Sequence, residues 1–360
     1  MQRIPEPAIT TATPAPSTLY SVQYLRAFAA YIVVLYHVSA SLGEQTAAAR
    51  LFSVGAVGVD VFFVLSGFLM ALIVSQAREV DGHFLLRRLI RIAPLYYLLT
   101  SVLFFIAAVK PELLATDRLD FARLAASFLF IPYPAADGSM TPILSLGWTL
   151  NYEMFFYCLI ALATQFFGDR KLQVTVLAII GLVTVGQIWD HGAYWRFYTD
   201  PILLEFAAGV IIFHYVYRDR TSAPLAAPLS LLIGGATLIA IKPDFGDGVH
   251  RFFSMGLPAV CLTVGAILTL NFKAVWLKKL GDWSYSTYLI HAFIIQLGII
   301  ALRQVGMLDT AWLAAICVPA TVAASALLYR FYEMPMISEL RWLCRLHYKP
   351  DEVRAAHARR

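Results

Sequence analysis

Apolar residues run along this chain in stretches close to the length that crosses hydrocarbon, and charged residues fall in short segments between them. Ten stretches are read as spans, at about 24–42, 57–75, 92–109, 145–167, 172–188, 199–217, 225–241, 253–271, 284–302 and 310–330. The pattern predicts an all-α integral membrane protein with about ten transmembrane helices. Residues 121–131, opening FARLAASFLF, are too short to cross and are read as an interfacial or re-entrant helix. Residues 1–20 are rich in Pro, Thr and Ala, lack an apolar core and are expected to be disordered. Residues 24–42 have the character of an uncleaved signal-anchor. Residues 21–335 form one polytopic unit without an internal repeat. The tail 336–360 is basic, with scattered Trp and Leu, and is expected to lie along the inner membrane surface.

Composition agrees with this reading. Of 360 residues 59% are hydrophobic and only 14% charged, too few charges for a soluble domain of that length. The net charge of +5 does not mark a nucleic-acid binder, because the basic residues sit between the spans. Of the 28 lysines and arginines, 20 fall on the side that holds both termini and 8 on the other. The positive-inside rule then places both termini in the cytoplasm of a multi-pass inner-membrane protein. Cys158, Cys261, Cys317 and Cys344 show neither metal-ligand nor disulfide spacing and are read as packing residues. No metal is expected.

The polar residues inside the spans carry the chemistry. In YLRAFAAYIVVLYHVSA, residues 24–40, Arg26 and His37 are eleven residues apart. Eleven residues turn an ideal helix about 20° past three circles, so both lie on one face, roughly 16 Å apart along the axis. The second span holds Asp60 near its outer end and Ser66 near its middle; the fourth opens with Trp148, Asn151 and Glu153. His37, Asp60 and Glu153 thus fall at similar depth on three helices. An ionised group in the bilayer interior costs about 2.5–3.5 kcal/mol on insertion scales, so three at one level point to a shared wet site. The alternatives are interfacial caps for Asp60 and Glu153 and a structural interhelical hydrogen bond for His37.

On the cytoplasmic side, HFLLRRLIRIAPLYY places Arg88 and Arg91 three apart on one face, with Arg87 beside them. Two guanidiniums so spaced can grip a pyrophosphate or phosphomonoester, although the positive-inside rule alone also accounts for a basic cluster there. In GDWSYSTYLIHAF, Tyr288 and His291 share a face and Asp282 is a helix-capping candidate.

Six segments in this order resemble the membrane acyltransferase-3 family, in particular its branch that decorates bacterial exopolysaccharides. They are LRAFAAYIVVLYH, GVDVFFVLSGFLM, RRLIRIAPLYY, GWTLNYEMFFY, GDWSYSTYLIH and YRFYEMP. The resemblance runs from about residue 21 to 336. It implies ten membrane helices and transfer of an acyl group, usually acetyl, from cytoplasmic acyl-CoA to a carbohydrate hydroxyl. Carried over by position, His37 is the catalytic histidine and Arg26 its motif partner, while Arg88 and Arg91 are the donor-binding pair. Glu153 is the carboxylate of the tryptophan motif, and His291 and Glu333 match later motifs. The soluble esterase-like domain of many fused members is not expected in these residues.

The chemistry fits those positions. A sugar hydroxyl needs a base near neutrality, which imidazole supplies. Asp60 or Glu153 is expected to orient it, and Asn151, Ser66 or a tyrosine to stabilise the oxyanion. Trp148, Tyr288 and His291 are candidates for the cavity wall. The expected partners are acyl-CoA, a carbohydrate or lipid-linked saccharide, and membrane lipid. A succinyl donor, or transport of a lipid-linked saccharide without chemistry, are the other readings of the same residues.

Overall fold

The computed structural model describes residues 19–43, 52–76, 83–110, 120–135, 138–218, 226–240, 248–270, 272–344 and 346. Residues 1–18 and 347–360, hence most of the expected disordered leader and most of the basic tail, lie outside the described residues. The described residues form thirteen principal helices. In chain order they are α1 Tyr20–Ala40, α2 Val57–Gln76, α3 Phe84–Val109, α4 Phe121–Phe128, α5 Trp148–Phe167, α6 Lys171–Ile188, α7 Ala193–Tyr198, α8 Leu203–Ile212, α9 Ala226–Ala240, α10 Leu257–Thr269, α11 Val275–Gln304, α12 Thr310–Leu328 and α13 Met334–Leu343. Helices therefore stand at all ten places where the apolar pattern put spans.

Among the described residues, seven segments are long and apolar enough to cross a membrane. The difference from ten has three sources. Helices α5 and α6 belong to one 44-residue apolar segment, Ser145–Ile188, broken only by the turn at Gly168–Arg170. Helix α9, with 15 residues, is shorter than a full crossing. Helix α1 carries Gln23, Arg26 and His37 and is not among the seven.

Phe105, Leu162, Leu177, Leu232, Leu297 and Leu327, on six different helices, are all more than half exposed. Such a belt is an aggregation liability in water, whereas hydrocarbon solvates it without cost. Helix α4 differs from the spans. Asp120 caps it, its carboxylate accepting from the Ala122 and Arg123 amides at 2.8 and 3.1 Å. Eight residues cannot cross, while exposed Phe121 and Leu129 suit an interface.

The interior forms where α1 packs along α11 and α2, and α2 packs along α8. Lipid tails are as apolar as leucine, so association relies on close approach of backbones. The α2–α8 crossing shows this. A Cβ at Gly67 would lie 2.1 Å from the Phe206 carbonyl oxygen, and one at Gly209 would lie 2.0 Å from that of Val64. Three helical turns are widened by a residue into π geometry, at Phe213–Arg218, Phe252–Gly256 and Tyr329–Glu333. The last joins α12 to α13 and leaves Glu333 only 1% exposed.

Candidate active site

Helices α1, α2, α3, α5 and α11 line a cavity of about 170 Å³. Its polar wall consists of Arg26 from α1, Ser66 from α2, Arg88 and Arg91 from α3, Thr149, Glu153 and Tyr157 from α5, and Ser284, Tyr285 and Tyr288 from α11. Three arginines, a carboxylate and six hydroxyl groups thus share the wall with Phe, Leu, Val, Ile and Met. An apolar cleft with a few convergent polar groups is the usual form of a small-molecule site.

The arginines are held in different ways. Arg91 forms an ion pair with Glu333, whose other carboxylate oxygen accepts from the Ser286 hydroxyl. Its guanidinium also stacks 5.2 Å from the Tyr285 ring centroid. Tyr285 in turn donates to the Ile92 carbonyl at 2.5 Å, fastening α11 to α3 one residue beyond Arg91. Arg88 lies 6.0 Å from the Phe84 ring centroid, and its buried Nε has no hydrogen-bond partner among the described residues. Glu153 accepts at one oxygen from the Tyr157 hydroxyl and, at 3.2 Å, from the Ser66 hydroxyl.

Neither His37 nor the expected wall residue His291 lines this cavity; α1 and α11 bring the two histidines together behind the cavity residue Tyr288. The rings of His37 and His291 lie 4.8 Å apart at a tilt of 62°. Each Nδ1 meets the carbonyl one turn earlier on its own helix, His37 at Val33 (3.0 Å) and His291 at Thr287 (3.3 Å). A carbonyl only accepts, so both Nδ1 atoms carry the proton and both Nε2 atoms present a lone pair. His291 is fully buried, and its Nε2 has no partner among the described residues. His37 is only partly buried. Tyr288 connects pair and cavity: it lines the cavity, its ring lies 5.9 Å from that of His291, and its hydroxyl donates to the Leu146 carbonyl at 3.1 Å.

The remaining sequence candidates lie elsewhere. Asp60 is fully buried on another flank of α2, where Arg251 Nη1 lies 2.8 Å from it and 3.1 Å from Glu205 of α8. Neither Asp60, Trp148 nor Asn151 lines the cavity. Trp148 packs in an aromatic group with Phe63 and Tyr152. Asn151 is 1% exposed, with neither amide atom hydrogen-bonded among the described residues. The sequence reading did not single out Tyr157, Glu205 or Arg251. Tyr157 follows Glu153 by four residues, a helical neighbour that spacing alone identifies. Glu205 stands as a lone carboxylate in the apolar run LLEFAAGVII, which marks it as needing a buried partner.

The sequence profile of an acyltransferase domain matches residues 19–330, nearly all of the described chain. The chain belongs to the acyltransferase-3 family. This membrane acyltransferase is 33% identical over 314 residues to the exopolysaccharide production protein ExoZ of Rhizobium meliloti, with 84% of its own chain and 94% of the relative covered. It is 27% identical to the peptidoglycan O-acetyltransferase OatA of Listeria monocytogenes, covering 88% of its own chain and 55% of that relative. It is likewise 27% identical to the O-acetyltransferase OatA of Staphylococcus aureus, covering 78% and 51%. The acyltransferase thus spans about half the length of the two OatA relatives. No solved structure matches it significantly.

Proposed function

We propose that this acyltransferase moves an acyl group, acetyl in the first instance, from cytoplasmic acyl-CoA to a hydroxyl of an exopolysaccharide or other cell-surface sugar, with His37 as general base. One observation carries the reading: a partly exposed imidazole stands beside His291, whose ring lies against Tyr288 in the wall of a cavity lined by Arg26, Arg88 and Arg91. The acceptor comes from the relatives' names, exopolysaccharide in one and peptidoglycan in another. Acetyl comes from the O-acetyltransferase names. The basic segments favour an inner-membrane protein with both termini in the cytoplasm and ten crossings.

The chemistry runs as one displacement. His37 Nε2 takes the proton of the sugar hydroxyl as its oxygen attacks the thioester carbon. The carbon–sulfur bond then breaks, and the CoA thiolate recovers the proton from the imidazolium. Thioester and sugar ester exchange with no net change in protons. The Arg88 side binds donor phosphates, and the apolar wall receives the thiol arm and acyl group. Glu153, fixed by Ser66 and Tyr157, is a carboxylate near Arg88 rather than a direct partner of His37.

The test is CoA release by the purified protein in lipid nanodiscs, supplied with acetyl-CoA or succinyl-CoA and lipid-linked saccharides. Saccharide-dependent release that His37→Ala abolishes supports the reading. Release by His37→Ala at the wild-type rate removes His37 from the chemistry, and succinyl-CoA as the better donor reassigns the acyl group.

A further inference from the structure

A second, smaller cavity adjoins the first and shares Arg26 and Arg91 with it. Its other polar wall residues are Asp282, Tyr329 and Arg341. Arg341 belongs to α13, the part of the expected surface tail that the structure describes. Its placement follows from helical phase. Glu333, Ile337 and Arg341 are spaced by four, so they form one stripe along the helix. Glu333 is 1% exposed and paired to Arg91, and Ile337 is 3% exposed. Those two anchors turn the stripe inward, and α13 packs against α3. Arg341 is thereby presented at the rim of the second cavity, within electrostatic range of Arg88.

The charges of this region do not cancel. Glu333 neutralises Arg91, and Lys278, 2.7 Å from Asp282, neutralises that carboxylate. Arg26, Arg88 and Arg341 have no carboxylate within ion-pair distance among the described residues. Glu153, near Arg26 and Arg88, offsets one of these charges, so the two adjoining cavities keep an excess of positive charge that complements a polyanion, and phosphate is the group the guanidinium fork suits best.

We propose that α13 is a phosphate clamp: Arg341, held inward by Ile337 and Glu333, binds the nucleotide phosphates of the acyl donor together with Arg26 and Arg88. The proposal rests on the acyl-CoA reading and adds the donor's polar end to it. Anionic lipid headgroups carry the same chemistry, and the experiment separates the two sources.

Steady-state transfer is measured with acetyl-CoA and with acetyl-pantetheine, which has the same thioester and no phosphate. Nanodiscs of phosphatidylcholine alone are compared with nanodiscs containing phosphatidylglycerol. Arg341→Glu is expected to reduce the preference for acetyl-CoA over acetyl-pantetheine about tenfold through KM, in both lipids, with Arg341→Lys intermediate. An equal fall with both donors overturns the clamp and leaves α13 a structural role. A loss confined to phosphatidylglycerol nanodiscs overturns it in favour of a lipid headgroup. Failure of the parent reading is a separate result, since wild type then transfers from neither donor; binding of CoA to the nanodiscs, unaltered by Arg341→Glu, would overturn the clamp in that case too.

Discussion

His37 and His291 face each other from α1 and α11 with ring centroids 4.8 Å apart, each tied by Nδ1 to a carbonyl of its own helix. Neither ring can offer an N–H to the other through Nε2 while both are neutral. When His37 takes a proton at Nε2, the imidazolium gains a nearby lone pair on a buried base. His291→Phe keeps a ring there and removes that lone pair. It is expected to lower kcat about tenfold with little effect on donor KM, whereas His37→Ala should cost about 10²–10⁴ in kcat. Steady-state CoA release gives both values, and wild-type kcat in His291→Phe would reduce the pair to packing.

Glu153 receives the Ser66 and Tyr157 hydroxyls at one oxygen. Loss of one donor leaves the other in place, so the two substitutions should not be independent. A double-mutant cycle of Ser66→Ala and Tyr157→Phe, read as kcat/KM, is expected to show a coupling of about 0.5–3 kcal/mol. Strict additivity would mean that the two hydroxyls do not act through one carboxylate.

Two carboxylates, Asp60 and Glu205, share the single guanidinium of Arg251 within an apolar interior. Removing it strands buried negative charge, at about 3–5 kcal/mol for a broken buried pair. Arg251→Ala should therefore lower the melting temperature in nanodiscs sharply, and adding Asp60→Asn and Glu205→Gln should restore much of it. If Asp60→Asn alone removes turnover while the melting temperature stays fixed, Asp60 regains the catalytic role that sequence assigned to it.

The crossing of α2 and α8 leaves no room for side chains at Gly67 and Gly209. The atoms in the way are backbone carbonyls, which cannot rotate aside. Overpacking costs about 1–3 kcal/mol even where side chains can give, and more is expected here. Gly209→Val should reduce the monodisperse yield on size-exclusion chromatography. Gly181→Ala, which meets open space on α6, should leave that yield at the wild-type level.

Much of this was legible in the chain because the bilayer imposes length and phase on sequence. Ten apolar runs coincide with ten helices, although only seven described segments are long and apolar enough to cross, and a period of 3.6 residues puts Arg88 beside Arg91 and Tyr288 beside His291. The side partners of α2 were not legible. The span pattern assigned Asp60 and His37 a similar depth, and depth alone grouped them; which flank of α2 Asp60 occupies depends on how that helix is rotated against α8. Arg341 was hidden for a related reason. A basic tail reads as a surface segment unless the turn before it, with Glu333 inside, is seen to fix its rotation.

Arg26 and His37 were introduced as two residues on one face of α1, and their separation acts as a ruler. One residue inserted between them would swing His37 away by about 100°, while seven would keep the face within about 20° and lengthen the gap by about 10.5 Å. If the proposed donor is anchored by its phosphates at one mark, its thioester must reach the other. On that proposal the number of residues between the marks sets the length of donor arm that fits, and a longer or shorter carrier would call for a recalibrated first helix.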